Sequence, residues 1–219
     1  SNHLELKDFK VNIKTHDEVG DLAVTFNKMA VDLEKSMDAR AYQERVGKEL
    51  ELAAGIQQDL LPKEVPKVKG LDIAAGIIPA AEVGGDVYDY IAPDEDNLYG
   101  YVGDVTGHGV PAGLLVSVTS ALIHSYSHLQ DPKQILIETN KIIKQKTRAN
   151  MFVTLILWHW NLKTQKLTLV SAGHEVALKY SAGPVKTDEL DKGGIALGML
   201  PDISALVKDQ PVELDPGDC

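Results

Sequence analysis

Two aspartates flanked by glycine, Asp86 and Asp104, stand at the ends of two short apolar runs in EVGGDVYDYIAPDEDNLYGYVGDVTGHG, residues 82–109. Asp86 heads the run Val87 to Ile91, Asp104 lies just past the run Leu98 to Val102, and Pro93 to Asn97 connects the two. If the runs pair as antiparallel neighbours, both carboxylates fall at the same end of the sheet. Two hard oxygen donors side by side are what Mg²⁺ or Mn²⁺ requires. Gly84, Gly85, Gly103, Gly107 and Gly109 leave the backbone bare, so it can turn sharply and come close to an ion or a phosphate. Aspartate beside glycine also occurs in plain turns, but turn chemistry alone does not ask for both flanking patterns in this order.

The wording VGGD followed by YD, then GDVTGHG running into VPAGLL, resembles the bacterial SpoIIE-type branch of the metal-dependent PPM protein phosphatases. The resemblance implies an α+β fold, an antiparallel β-sandwich flanked by antiparallel helix pairs. It implies hydrolysis of phosphoserine or phosphothreonine on a protein in bacterial signal transduction, with two Mg²⁺ or Mn²⁺ ions activating a water for in-line attack at phosphorus. Asp86 and Asp104 are then the catalytic residues and metal ligands, and the family motif adds the backbone carbonyl of Val105. The implied substrate is a phosphorylated regulatory protein of the anti-sigma-factor antagonist kind, as used in partner switching. His108 could serve as a proton donor, although a histidine between two glycines is more often a loop hydrogen bonder.

Composition sets outer bounds. The net charge of -10 argues against nucleic acid as a partner and is compatible with holding divalent cations. Cys219 is the single cysteine, which leaves no disulfide framework and no placed thiol nucleophile, and a cytoplasmic, reducing setting is expected. No uninterrupted apolar run reaches about 18 residues and no signal peptide pattern opens the chain. Membrane attachment is therefore expected only through segments preceding residue 1, with the parent protein anchored in the bacterial inner membrane. A length of 219 residues with 44% hydrophobic content suits one catalytic domain plus an appendage.

The appendage reads as a long helix. After a short extended run, Phe9 to Ile13, the sequence Thr15-His16-Asp17-Glu18 offers a helix start. Val19, Leu22, Phe26, Met29 and Leu33 then recur at heptad spacing, a seam that buries poorly in one helix, so a homodimer through the N-terminal helix is expected. The stretch DEVGDLAVTFNKMAVDLEKS resembles the second helix of a HAMP domain. This gives three parts: 1–37, the C-terminal half of a HAMP domain; 38–61, a coiled-coil signalling linker helix; and 62–219, the phosphatase domain. Arg40, Gln43, Glu44 and Arg45 interrupt the seam, which resumes out of phase at Val46, Leu50, Ala53 or Ala54, Ile56 and Leu60. A phase change of this kind suits a switch between packing modes. Pro62 ends the helix and residues 63–70 form a linker.

Within the domain, Leu71 to Ile78 reads as a first strand, followed by Pro79-Ala80-Ala81 and the aspartate hairpin. Pro111 opens a helix, Asp131-Pro132 caps and opens a second, Met151 to Trp160 and Lys166 to Val170 read as paired strands, and Lys208 to Leu214 as a later one. Trp158 and Trp160 are expected to pack. His174, in SAGH at residues 171–174, is expected to be structural rather than to orient a loop near the site. The resemblance also implies two further metal-binding acids, one in a Thr-Asp-Gly motif after the Asp215-Pro216-Gly217-Asp218 turn. Neither is in this sequence, so the natural protein is expected to continue at both ends, this chain to bind metal weakly, and apolar surface to be exposed where those strands would pair. The rival reading is a catalytically inactive dimerisation or interaction module. A sensor kinase fits poorly, since no histidine follows the heptads on the arm and no nucleotide-binding glycine pattern appears.

Overall fold

The structure, a computed structural model, describes residues 11–13, 15, 17–78, 83–148, 150–183, 185–190 and 193–219. Parts of the expected run Phe9 to Ile13, His16 of the helix start and the turn Pro79-Ala80-Ala81 lie outside the described residues. In chain order the elements are α1 (Glu18–Leu60), β1 (Asp86–Ile91), β2 (Asn97–Val105), α2 (Val110–Tyr126), α3 (Pro132–Lys146), β3 (Val153–Asn161), β4 (Lys166–Ala172), β5 (Leu178–Ser181), β6 (Lys186–Glu189) and β7 (Asp209–Val212). A single 3-10 turn, Ser127–Leu129, joins α2 to α3. The chain divides into two compact units, Ser1–Glu51 and Leu52–Cys219.

In the first unit, Asp17 caps α1, its Oδ1 accepting from the amides of Val19 and Gly20 at 3.1 Å each. This satisfies donors that a helix start leaves free. The helix runs unbroken through the residues that interrupt the heptad seam. Changing which face is apolar does not cost backbone hydrogen bonds, so loss of phase need not end a helix. The seam residues Val19, Leu22, Phe26, Met29 and Leu33 are 47–69% exposed.

The second unit is built on an antiparallel sheet in the order β1-β2-β3-β4-β7, with β5 and β6 forming a separate two-stranded hairpin. Side chains alternate across the sheet. On one face Val87, Ile91, Tyr101 and Leu155 join Leu115, Ile123, Ile135 and Ile143 of the two helices in the main core. Asp131 holds the start of α3, its Oδ1 accepting from the Gln134 amide at 3.0 Å with Pro132 in the first turn. On the other face a smaller cluster forms around Ile156, Leu169 and Val212, with Trp158, Ala177, Leu190 and Leu214 packed against it. Successive helices thus cover one layer of an antiparallel sheet, as the two consecutive helical segments imply.

Two expectations need correction. Leu71 to Ile78 is not a strand: Val68 and Leu71 form an isolated bridge, and the residues after Leu71 have no ladder partner among the described residues. Apolar alternation fits a strand, but only pairing makes one. The expected absence of any membrane-length apolar segment is also too strict, because Val110–Leu129 forms a helical stretch of 20 residues with mean hydropathy 1.2. Small and weakly polar residues bridge its apolar runs, and Ala112, Leu115, Val116, Thr119 and Ile123 are buried, as in a core helix.

Candidate metal centre

The register of the β1–β2 hairpin places Asp86 directly opposite Asp104. Residues opposite one another in an antiparallel pair share a face, and here it is the face away from α2 and α3, since Val87 and Val105 point into the core. The hairpin also brings Val105 beside Gly85, whose carbonyl accepts from the Val105 amide at 3.0 Å. A side chain on Gly85 would not fit: a Cβ there would lie 2.4 Å from the Val105 carbonyl oxygen and 2.7 Å from Asp104 Oδ1. The bare backbone of Gly85 thus leaves room for two oxygens, one carbonyl and one carboxylate, at the strand end.

Partial shielding from water and the neighbouring charge of Asp86 push the Asp104 carboxyl above its ordinary value, opposed by His174 and the Val105 amide. Two like charges held side by side favour any cation that can sit between them. The donor set of two carboxylates and a carbonyl is hard and oxygen-only, which suits Mg²⁺ or Mn²⁺ and not a soft metal. Among the described residues no group of three or more His, Cys, Asp or Glu side chains converges on one point. The pair is what the hairpin supplies.

Behind Asp104 the row continues onto β3, where Thr154 is its register partner. Thr154 Oγ1 donates to the Asp104 carbonyl at 3.2 Å and lies 2.9 Å from His174 Nδ1. The Thr154 hydroxyl thus links the Asp104 backbone to the His174 ring. His174 therefore stands near the aspartate pair, tied to it through Thr154. Thr154 was not legible from motif reading, because its partner is 50 residues away and only strand register brings them together. His108 is exposed between Gly107 and Gly109, both with positive φ, in the loop leading to α2.

The segment before Asp86 is held on three sides. The Val83 carbonyl accepts from the Gly109 amide at 3.1 Å, at the head of α2. Gly84 exchanges two hydrogen bonds with the side chain of Gln57 near the end of α1. Gly85 is tied to Val105 at the end of β2. In the sequence Gln57 stands out only as part of Ile56-Gln57-Gln58, which with Leu60-Leu61-Pro62 resembles the family's approach to the catalytic domain and assigns its side chain no role.

The PP2C domain of SiaA from Pseudomonas aeruginosa shares this fold, an antiparallel sheet backed by two helices. That structure superposes with a TM-score of 0.63 at 25% identity, over 81% of this chain and 71% of its own. The family model of stage II sporulation protein E (SpoIIE) matches residues 94–219, more than half of the chain, which therefore belongs to the SpoIIE family. Phosphoserine phosphatase RsbU of Bacillus subtilis (strain 168) is 33% identical over 175 residues, covering 80% of this chain and 52% of that protein. RsbX, solved in complex with magnesium, shares the fold with a TM-score of 0.50 at 20% identity, over 62% of this chain and 63% of its own. The chain spans about half, or less, of the length of the curated relatives it matches.

Proposed function

We propose that this chain carries the metal-binding hairpin of a protein serine/threonine phosphatase that dephosphorylates a regulatory protein in a partner-switching circuit. The observation that carries the reading is the pairing of Asp86 with Asp104 beside a glycine whose missing side chain leaves room next to the Val105 carbonyl. Relatives named as phosphoserine phosphatases and a magnesium-bound neighbour support the substrate class and a divalent ion.

Asp86, Asp104 and the Val105 carbonyl would hold Mg²⁺ or Mn²⁺. Bound there, the ion supplies Lewis acidity at the phosphoryl group and a route to an activated water. The chain's own residues prepare the place. Thr154 and His174 steady the backbone of Asp104 from behind. The start of α2, with no acidic residue in its first turn and no side-chain cap, favours a phosphate oxygen over a cation. No thiol stands in the site, since the single cysteine is Cys219, and attack by water requires none.

The exposed heptad seam of α1 supports a homodimer through that helix, and with it the second reading, an interaction module. Hydrolysis of a phosphoserine protein by the full-length protein decides between them. Phosphate release that needs Mn²⁺ or Mg²⁺ and falls at least about a hundredfold in Asp104→Ala is the expected result. Release independent of metal, or retained in Asp104→Ala, contradicts the phosphatase reading. A concentration-dependent dimer without hydrolysis moves the assignment to the module.

A further inference from the structure

Val83, Gly84 and Gly85 lead directly into Asp86, and each is held by a different element. Two of the three ties are backbone to backbone and belong to the fold itself: Gly109 to Val83 and Val105 to Gly85. The third is made by one side chain. Gln57 Nε2 donates to the Gly84 carbonyl at 2.8 Å, and the Gly84 amide donates to Gln57 Oε1 at 3.1 Å. One carboxamide thus satisfies both polar groups of a single residue, which requires the amide plane to lie along that stretch of backbone.

The last turns of α1 show why the contact reports helix position. Ala53, Ala54 and Gln57 form the half-buried stripe, while Leu52, Ile56 and Leu60 are exposed. An inward-facing stripe normally takes apolar residues. A glutamine there follows two small alanines by about one turn and uses its polar end on the glycine loop. A helix turns about 100° per residue and rises 1.5 Å, so a rotation or slide by a fraction of that moves the carboxamide out of reach of both partners. A Cβ on Gly84 would meet only the Asp86 amide nitrogen, at 3.8 Å, so the clamp is not there because the glycine needs shielding from a crowded wall.

We propose that Gln57 is a positioning residue that couples the end of α1 to Asp86, so that the helix's position sets how well the aspartate pair takes up a divalent cation. This rests on the metal-site reading above. With the clamp closed, the VGGD backbone is fixed three times over and Asp86 meets Asp104 in register. With it open, Gly84 and Gly85 regain glycine's wide conformational range and the pair loses its preorganisation.

The test uses the full-length protein and two readouts. The first is Mn²⁺ affinity by electron paramagnetic resonance for wild type, Gln57→Ala, Gln57→Glu, the exposed neighbour Gln58→Ala, and Asp104→Ala. The second is amide hydrogen exchange at Gly84 without metal. Gln57→Ala is expected to weaken Mn²⁺ binding about tenfold, the scale on which partners of metal ligands act, and to speed Gly84 exchange about tenfold or more. Gln57→Glu keeps the acceptor but sets an anion against the Gly84 carbonyl, so it should fall between Gln57→Ala and a complete loss. Gln58→Ala should match wild type. Saturating Mn²⁺ should restore turnover in Gln57→Ala, which a general folding defect would not allow. If Asp104→Ala weakens Mn²⁺ binding while Gln57→Ala matches wild type, the coupling is wrong and the metal site stands. If Asp104→Ala binds Mn²⁺ as tightly as wild type, the metal-site reading fails and the coupling goes with it.

Discussion

At one end of the β1–β2 hairpin Asp86 and Asp104 face each other across the register, and the neighbouring charge helps push Asp104 above its ordinary carboxylate value. At the other end Asp94 accepts from the Asp96 amide at 2.8 Å, from Asn97 Nδ2 at 2.9 Å and from Gln130 Nε2 at 2.7 Å, and these hydrogen bonds lower it. Asn97 in turn accepts from His159, whose ring stacks on Tyr99 with centroids 4.5 Å apart. Both ends carry acids, but the turn acid Asp94 is supplied with several donors, while the strand residues Asp86 and Asp104 set one charge beside another. Between them lies Asp89, 8% exposed, bound to His124 Nε2 of α2 at 2.7 Å and accepting from the Tyr90 amide at 2.8 Å. The hairpin teaches that the mere presence of aspartate does not mark a site. The mark is a carboxylate set beside another carboxylate, with fewer donors to offset it than Asp94 has.

That contrast can be broken at either end. The largest effect is expected from Gly85→Ala, because the new methyl group would meet the Val105 carbonyl oxygen and Asp104 Oδ1 closer than atoms can approach. Metal-dependent hydrolysis should fall at least about a hundredfold, while Gly84→Ala, with open space at the same step of the chain, should leave it near wild type. Assaying the two side by side separates a defect of the site from a general intolerance of the loop. A smaller effect belongs to the Asp94 end. Asp94→Ala removes an acceptor for several donors and should lower the denaturation midpoint at pH 7 without changing metal dependence. Because the folded chain lowers the Asp94 pKa, its contribution is present above the ordinary value of 3.8 and is lost as pH falls through the lowered one. The gap between wild type and variant should therefore close on acidification, as pH-dependent melts would show.

Much of this hairpin was legible in the sequence, because strand period and glycine flanks fix which residues share an end and a face. Asp86, Asp104 and the turn between their strands follow from local pattern alone. What was not legible depends on distant partners. Thr154 meets Asp104 only through the β2–β3 register, and the nearness of His174 to the pair needs β4 as well. Gln57 belongs to a stretch that resembles the family's approach to the domain, but the role of its side chain shows only once the loop that it clamps is placed. The segment Leu71 to Ile78 misleads in the opposite direction, since its alternation suggests a strand while its backbone finds no ladder partner among the described residues.

The smallest effect is also the most direct test that Asp86 and Asp104 repel one another until a cation joins them. Thermal melts of wild type and Asp104→Asn, each with and without Mn²⁺, read it out. The folded chain raises the Asp104 pKa, so the ionised form costs stability, a cost present at pH above the raised value and absent well below it. At pH 7 without metal, Asp104→Asn should therefore melt at or slightly above wild type, a gain within about 1 kcal/mol for so exposed a pair. With Mn²⁺ the order should reverse: wild type rises by mass action and the variant does not. Equal shifts of the two proteins on adding Mn²⁺, or a variant less stable than wild type without metal, would contradict the account.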